Sequence, residues 1–399
     1  MKVADYFGSN IVVLALNTAT LLLLSATLSL PAFAMIAVFQ SILFIAIPIQ
    51  SFQSAPLNAT LVAKGEYSEG FQASQQIVSF SMFCVLASIS IGLWAVTVIA
   101  TQMALLFLAS IGVGYLRSLY TYHDNYLIQT GESAQYRNWR ILNAVLVFLF
   151  SVGLALVWDS GWARVLGVLA GELLVFPIRA PKFIVKLSKF DRREIRRILR
   201  FGGPLLPVAL LSWVNFQSDR YVLSTFFDKE LAGFYAIVFW SLAILNNFFV
   251  SLKSIYIPGF RQMVADGYRF SGAIWNTKAY FVLSILVSVV SVVGIFYLLP
   301  FFVEYHDDGF LGNLLLLVFG LMFFNLGIFG TSMVEMAELS IFRFWVVFSS
   351  ALVHAPFLAL AIHQSVPEFL FYGYFLGFFV QFVGFTVVGR WLYARGETR

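Results

Sequence analysis

Residues 182–200 read Lys182-Phe183-Ile184-Val185-Lys186-Leu187-Ser188-Lys189-Phe190-Asp191-Arg192-Arg193-Glu194-Ile195-Arg196-Arg197-Ile198-Leu199-Arg200, the most polar stretch of a chain otherwise written in apolar runs. Six such runs precede it, near 9–30, 32–55, 77–100, 103–122, 139–158 and 161–180. Six follow it, near 203–226, 231–257, 274–303, 312–337, 341–362 and 367–392. Most are about 20 residues or longer, the length a helix needs to cross the hydrocarbon of a bilayer, and about twice what a barrel strand uses. The pattern predicts an all-α polytopic membrane protein of about 12 helices. A six-helix lobe over 1–181 and another over 201–399 are joined by a basic amphipathic linker at 182–200.

Composition points the same way. Of 399 residues, 60% are hydrophobic and 11% charged, against roughly 25% charged in soluble domains, and the mean hydropathy is +0.86. No length is left for a separate soluble domain. Cys84 is the one cysteine, so disulfide frameworks and cysteine-metal sites are excluded, and its place in an apolar run predicts a buried thiol. Ala32-Phe33-Ala34 mimics a signal-peptidase site. The run before it is longer than the ~7–15 residues of a signal h-region and its flank sets only Lys2 against Asp5, so an uncleaved first span is expected.

Within 182–200 the cations recur at helical spacing, while Ile184, Leu187, Ile195 and Ile198 gather on another face. Either a surface helix on an anionic leaflet or a solvated linker fits, and both are cytoplasmic. Alternation then places the connections near 56–76, 123–138, 258–273 and 338–340 inside, together with both termini. The excess of Lys and Arg agrees: Lys64, Arg137, Arg261, Arg269 and Arg390 fall inside, whereas the outer connections hold little beyond Arg164 and Lys229. The longest outer connection is acidic, with Glu304, Asp307 and Asp308.

The two halves also match each other. Residues 32–57 set against 232–257 share Ala32/Ala232, Val38/Val238, Phe39/Phe239, Ser41/Ser241, Ser51/Ser251 and Ser54/Ser254; Phe7-Gly8 precedes the first span as Phe201-Gly202 precedes the seventh. An even number of spans per half implies a parallel repeat, with its pseudo-twofold along the membrane normal. Gly167 and Gly171, like Gly373 and Gly377, are spaced for close helix contact.

Charges inside a membrane are costly and mark candidate function. Arg117, among Tyr115, Tyr120 and Tyr122, suits a phosphate or a sugar, because a guanidinium binds phosphate bidentately; the competing reading is an arginine snorkelling to the headgroups. Lys253 divides the same way. Asp219 and Arg220 are neighbours on one helix and cannot face each other, so each needs a partner elsewhere, either in an inter-helix ion pair or with Asp219 as a proton or cation site and Arg220 as a cavity cation. Glu335 and Glu338 share a face as further ion-coupling candidates or simply as solvated carboxylates. Glu172 is read as neutralised by Arg179, two turns on. The histidines lack ligand spacing and no phosphate-binding loop occurs, so neither metal nor cofactor is expected. Asn58-Ala59-Thr60 is a glycosylation sequon only by pattern, since it falls inside.

At the start of the second half the chain reads Phe201-Gly202-Gly203-Pro204-Leu205-Leu206-Pro207, then Asp219-Arg220-Tyr221, then Gly233-Phe234-Tyr235; Tyr256-Ile257-Pro258 and Met263-Val264-Ala265 follow. This resembles the polysaccharide flippases, the O-antigen-unit translocases of the multidrug/oligosaccharidyl-lipid/polysaccharide exporter superfamily. The resemblance covers about 198–270, and the first half, with Ala32-Phe33-Ala34, departs from it. It implies a non-enzymatic transporter of the bacterial inner membrane that passes an undecaprenyl-pyrophosphate-linked oligosaccharide to the outer leaflet by alternating access. Arg117, Arg220, Lys253 and Tyr120 are then substrate-binding candidates, and Asp219 and Glu335 ion-coupling ones. The expected partners are the lipid-linked oligosaccharide, anionic lipids and other polysaccharide assembly proteins, not nucleic acid. The alternatives are cation-coupled efflux of small amphiphiles, which wants dominant acidic residues, and a polymerase or ligase, which wants a large outer catalytic loop.

Overall fold

The structure, a computed structural model, describes residues 3–54, 57–58, 61, 67–96, 99–130, 132–182, 189–298, 308–337 and 339–395. Its regular elements there are all helical. The first seven α-helices are α1 (Val3–Thr27), α2 (Leu30–Gln50), α3 (Glu69–Ala95), α4 (Thr101–Thr130), α5 (Ser133–Ala155), α6 (Gly161–Arg179) and α7 (Arg192–Gly202). They are followed by α8 (Leu206–Phe226), α9 (Lys229–Ala265), α10 (Phe270–Asn276), α11 (Lys278–Leu298), α12 (Asp308–Leu326), α13 (Ile328–Met336), α14 (Ser340–Gln364) and α15 (Glu368–Arg395). Among the described residues ten helical runs are long and apolar enough to cross a membrane, or eleven when the α10–α11 pair, bent by 56° at Thr277, counts as one span. α9 occupies the eighth apolar stretch and stands outside that count, which covers described residues only.

Several connections read from the sequence are in fact helix. α4 is 30 residues long and α9 is 37, about 45 and 56 Å at 1.5 Å per residue, so their ends outrun a hydrocarbon layer about 30 Å thick. The stretches 123–138 and 258–273 are therefore mostly helix ends rather than loops. The acidic outer connection at 304–307, Glu338 and residues 183–188 lie outside the described residues.

The chain divides into two compact units, Met1–Ala209 and Leu210–Arg399. In the first, α5 packs on α6 and on α1, while α4 packs on α2, α3 and α6. Gly167 and Gly171 allow the α5–α6 approach. A Cβ on Gly167 would stand 2.5 Å from the Ser151 backbone, and one on Gly171 would stand 2.7 Å from the Val147 side chain. The basic stretch packs with this unit. Asp191 caps α7 by accepting from the Arg193 N–H, Lys189 pairs with Glu69, and the fully buried Ile198 joins Leu57, Leu61, Phe71 and Val78. Burial in the same cluster pushes the Tyr67 phenol above its ordinary range. At the end of α7, Gly202 fits against the Phe52 carbonyl so closely that a Cβ there would overlap it. Phe52 and Gln53 both hold positive φ just after α2.

The second unit repeats this internal order: its fifth span (α14) packs on its sixth (α15), its third (α11) on its fourth (α12), and its second (α9) on both. Gly373 and Gly377 bring α15 onto α14 at Phe357, His354 and Ser350. Cys84 corrects one expectation. It is exposed on α3, inside a span, so it is shielded by lipid rather than by protein.

Candidate functional site

In the first unit the intramembrane charges are held by one another. Arg117 on α4 donates its Nε–H to Oε1 of Glu172 on α6 at 2.8 Å, Asn143 on α5 donates to Oε2 at 3.0 Å, and the Tyr120 hydroxyl donates to the Glu172 carbonyl at 2.8 Å. The Glu172 side chain is 1% exposed and that of Arg117 36%. Glu172 is thus a buried anchor for a side chain that stays partly accessible. Arg179 makes a separate set: its Nε donates to His123 Nδ1 at 3.0 Å, it pairs with Asp124, and its guanidinium lies 4.7 Å from the Tyr120 ring. The expected Glu172–Arg179 neutralisation is not what forms. Seven residues along a helix is about 10.5 Å, too far for direct pairing, so both charges take partners from α4.

The three tyrosines near Arg117 do not form a cage. Tyr115 packs on Phe80 and Phe83, and Tyr122 donates to the Ser51 carbonyl at 3.0 Å, leaving Tyr120 as the ring on the Glu172 side. Helical rotation of 100° per residue turns Tyr120 away from Tyr115 and Tyr122, which share a face but stand two turns apart. Arg140 donates to the Tyr136 hydroxyl at 2.6 Å, and Arg164, 8% exposed, donates to Ser151 Oγ at 2.8 Å. Of the charged side chains just described, four are arginines, 117, 140, 164 and 179, and two are carboxylates, Asp124 and Glu172.

In the second unit Asp219 and Arg220 on α8 are both buried, at 1% and 7% exposed. Asp219 Oδ2 accepts from the Tyr235 hydroxyl of α9, and Oδ1 accepts from the Arg220 backbone N–H at 2.9 Å. The Arg220 guanidinium stacks 4.0 Å from the Phe239 ring, and its Nε has no hydrogen-bond partner. Among the described residues no carboxylate of another helix pairs with it, so a tyrosine and a phenylalanine take the places expected for ion-pair partners. His354 on α14 and Tyr374 on α15 complete the cluster within electrostatic reach of Asp219. The Gly373 backbone is the polar neighbour of the His354 ring.

Sequence reasoning counts Glu172 and His354 among the intramembrane charges without giving either the partners seen here, and it missed Asn143. It did quote Tyr235, without linking it to Asp219. Lys253 stands apart: its ammonium lies 5.2 Å from the Phe324 ring, and it is 18 residues, about 27 Å, along α9 from Tyr235. Glu335 is on α13, and its side chain is outside the described residues. Among the described residues no three His, Cys, Asp or Glu side chains gather as a metal site would require.

The family model described as polysaccharide biosynthesis protein matches residues 77–278. No curated protein matches the chain. Among solved structures, an inward-facing multidrug resistance MATE family transporter of the MOP superfamily is 13% identical over 99% of both chains, with a TM-score of 0.66. A MOP superfamily transporter from Pyrococcus furiosus, described by the reverse polarity of its binding pocket, is also 13% identical, over 98% of this chain and 95% of its own, with a TM-score of 0.65. A Vibrio cholerae MATE transporter gives 0.62 at 13% identity over 97% and 95%. At these identities the likeness establishes the fold, the two-lobed all-helical fold of MOP superfamily transporters.

Proposed function

This multi-span membrane protein belongs to the polysaccharide biosynthesis protein family, and we propose that it moves a lipid-linked oligosaccharide from the cytoplasmic to the outer leaflet of the bacterial inner membrane by alternating access. Its substrate in this reading hangs from undecaprenyl pyrophosphate, and both termini are cytoplasmic. The observation that carries the proposal is Arg117: a guanidinium at membrane depth, fixed through Nε by Glu172 with more than a third of its side chain accessible. A pyrophosphate needs a cation whose position is set in advance, and the Glu172–Asn143–Tyr120 frame sets it. Tyr120 thereby positions rather than binds. Arg220 and Lys253 are further contacts for the anionic substrate, while anionic lipids face the basic stretch around α7. Other polysaccharide assembly proteins deliver and receive the oligosaccharide.

Asp219, buried against Tyr235 and His354, is the ion-coupling acid of this reading, with Glu335 as the second candidate. That buried carboxylate is also what favours the competing reading, cation-coupled efflux of small amphiphiles. One experiment separates them: appearance of lipid-linked oligosaccharide in the outer leaflet, and export of amphiphilic cations, both measured in cells carrying Arg117→Ala or Asp219→Asn. Loss of oligosaccharide translocation in both variants supports the flippase. Amphiphile export that depends on Asp219 and ignores Arg117 supports efflux.

A further inference from the structure

In the second unit a buried cation and a buried carboxylate stand side by side on α8 without pairing. No hydrogen bond holds the Arg220 guanidinium among the described residues. Its flat face lies 4.0 Å from the Phe239 ring, its Nε is buried without a partner, and the whole side chain is buried. A ring that takes the face of a guanidinium leaves the N–H edge unused, and that edge is the part that grips a phosphate through two parallel bonds. Asp219 lies within electrostatic reach, yet both of its oxygens are engaged by neutral donors: Oδ2 by the Tyr235 hydroxyl and Oδ1 by the Arg220 backbone N–H at 2.9 Å.

Those partners suit a carboxyl that changes its charge. A phenol hydroxyl donates to an ionised carboxylate and, turned about its C–O bond, accepts from a protonated one. An arginine in the place of Tyr235 would hold the ionised form alone. Among the described residues the titratable groups that reach Asp219 are Arg220 on its own helix, Tyr235 on α9, His354 on α14 and Tyr374 on α15. With Asp219 ionised and His354 neutral, the site sums to zero charge. With Asp219 protonated it carries one uncompensated cation, in a setting where an unpaired charge is costly.

We propose that Asp219 sets the anion affinity of Arg220: a substrate phosphate binds the open edge of the guanidinium when Asp219 is protonated, and binding draws a proton from solvent onto that carboxyl. The linkage is reciprocal. Protonation favours the anion because it removes a negative neighbour, and the anion favours protonation because it adds one. Proton and headgroup therefore load together, whereas an acidic site that takes a cationic amphiphile gives up its proton to do so. The inference rests on the proposed function for the identity of the anion and adds the sign of its coupling.

The test uses the full chain in lipid nanodiscs and a short-chain polyprenyl diphosphate sugar, a diester with no proton to lose near neutral pH. Affinity is measured across the range from about pH 8 to about pH 5, and proton uptake in weakly buffered solution. Binding by the unmutated chain should take up protons and tighten roughly tenfold as the pH falls. Asp219→Asn, which fixes the neutral state of the side chain, should bind tightly at every pH without proton uptake. Arg220→Gln should lose both the uptake and the pH response. Proton uptake that survives Asp219→Asn belongs to another group, His354 included, and overturns the linkage. Proton release on binding, or an affinity that ignores pH, overturns it on the unmutated chain alone, so a variant that fails to fold does not shield the proposal. Saturable binding that Arg117→Ala weakens then leaves the proposed function standing. Absence of saturable binding at every pH overturns both.

Discussion

Tyr235 donates its hydroxyl hydrogen to Oδ2 of Asp219, joining α9 to α8 across 16 residues of sequence at a point where both side chains are buried. The Asp-Arg pair and the Gly-Phe-Tyr turn, which in the sequence are two separate motifs, are thereby one site. The bond gives the carboxylate a neutral donor in a setting where an unpaired charge is costly. It leaves Arg220 to the Phe239 ring.

Removing that hydroxyl isolates one oxygen of a buried carboxylate while keeping the ring stack. Tyr235→Phe should therefore cost about 1–3 kcal/mol of stability. The effect should be smaller in an Asp219→Asn background, and a double-mutant cycle in heat-challenged, detergent-solubilised protein reads the difference. Asp219→Asn and Arg220→Ala should each abolish polymer export at normal membrane abundance. The exchange Asp219→Arg with Arg220→Asp should not restore it, because Tyr235 serves one position and Phe239 the other. Equal stability losses from Tyr235→Phe in both backgrounds would remove the bond from the account.

Arg117 and Glu172 separate folding from transport. Arg117→Lys keeps a charge beside Glu172 and should keep abundance, yet lose much of the translocation, because an ammonium cannot make the bidentate phosphate contact; charge-assisted contacts are worth roughly 1.5–3 kcal/mol. Glu172→Gln leaves the mostly buried cation without its partner and should lower abundance instead. Near-normal translocation by Arg117→Lys at matched abundance would move the headgroup site to Arg220 or Lys253.

The contrast between what the sequence shows and what it hides follows from range. Spans, the basic break and the small-residue pairs Gly167/Gly171 and Gly373/Gly377 are legible because each is a property of one helix. The partner of Glu172 is not, since on α6 alone Arg179 is the nearest cation in the helical register, while the guanidinium that reaches it comes from α4, 55 residues earlier. The surroundings of His354 are hidden for the same reason. Its neighbours Asp219 and Tyr374 arrive on other helices, and no local spacing marks them. The exposure of Cys84 on α3 was hidden too, because an apolar span does not say which of its faces meets protein.

The α5–α6 contact predicts which glycines are replaceable. Gly167→Ala puts a methyl 2.5 Å from the Ser151 backbone, and since main chain cannot swing aside, overpacking should cost about 1–3 kcal/mol and lower membrane abundance. Gly92→Ala and Gly153→Ala, where a Cβ meets nothing within 4 Å, should be neutral. Comparable loss in all three would place the effect outside this contact.

The charge bias fixes the orientation to be tested. A reporter fused after Arg399 or inserted at 185–195 should behave as cytoplasmic and one near Asp307 as external. Cys84, the one cysteine, supplies an internal standard: facing lipid its thiol stays protonated, so maleimides should leave it unlabelled in the intact membrane and label it once the protein is unfolded. External access to residues 185–195 would invert the topology.

His354 offers the sharpest separation of stability from function. Its side chain is 1% exposed and the Gly373 backbone is its polar neighbour, so at least one ring nitrogen is buried with an unmet polar demand, of order 1–3 kcal/mol. A residue kept for packing would be improved by an apolar replacement of similar size, and His354→Leu should hold or raise the resistance of the solubilised protein to heat. Translocation is expected to move the other way. Asp219 lies within electrostatic reach, and an imidazole with a ring nitrogen left over can take a proton or a water when the site changes, which leucine cannot do. The measurement is outer-leaflet oligosaccharide at matched abundance for His354→Leu and His354→Gln, beside the melting of each purified protein. A stable variant that no longer translocates puts His354 in the path that runs through Asp219. A stable variant with full translocation makes the imidazole a tolerated defect, and the coupling chemistry then rests on Asp219 and Tyr235 alone.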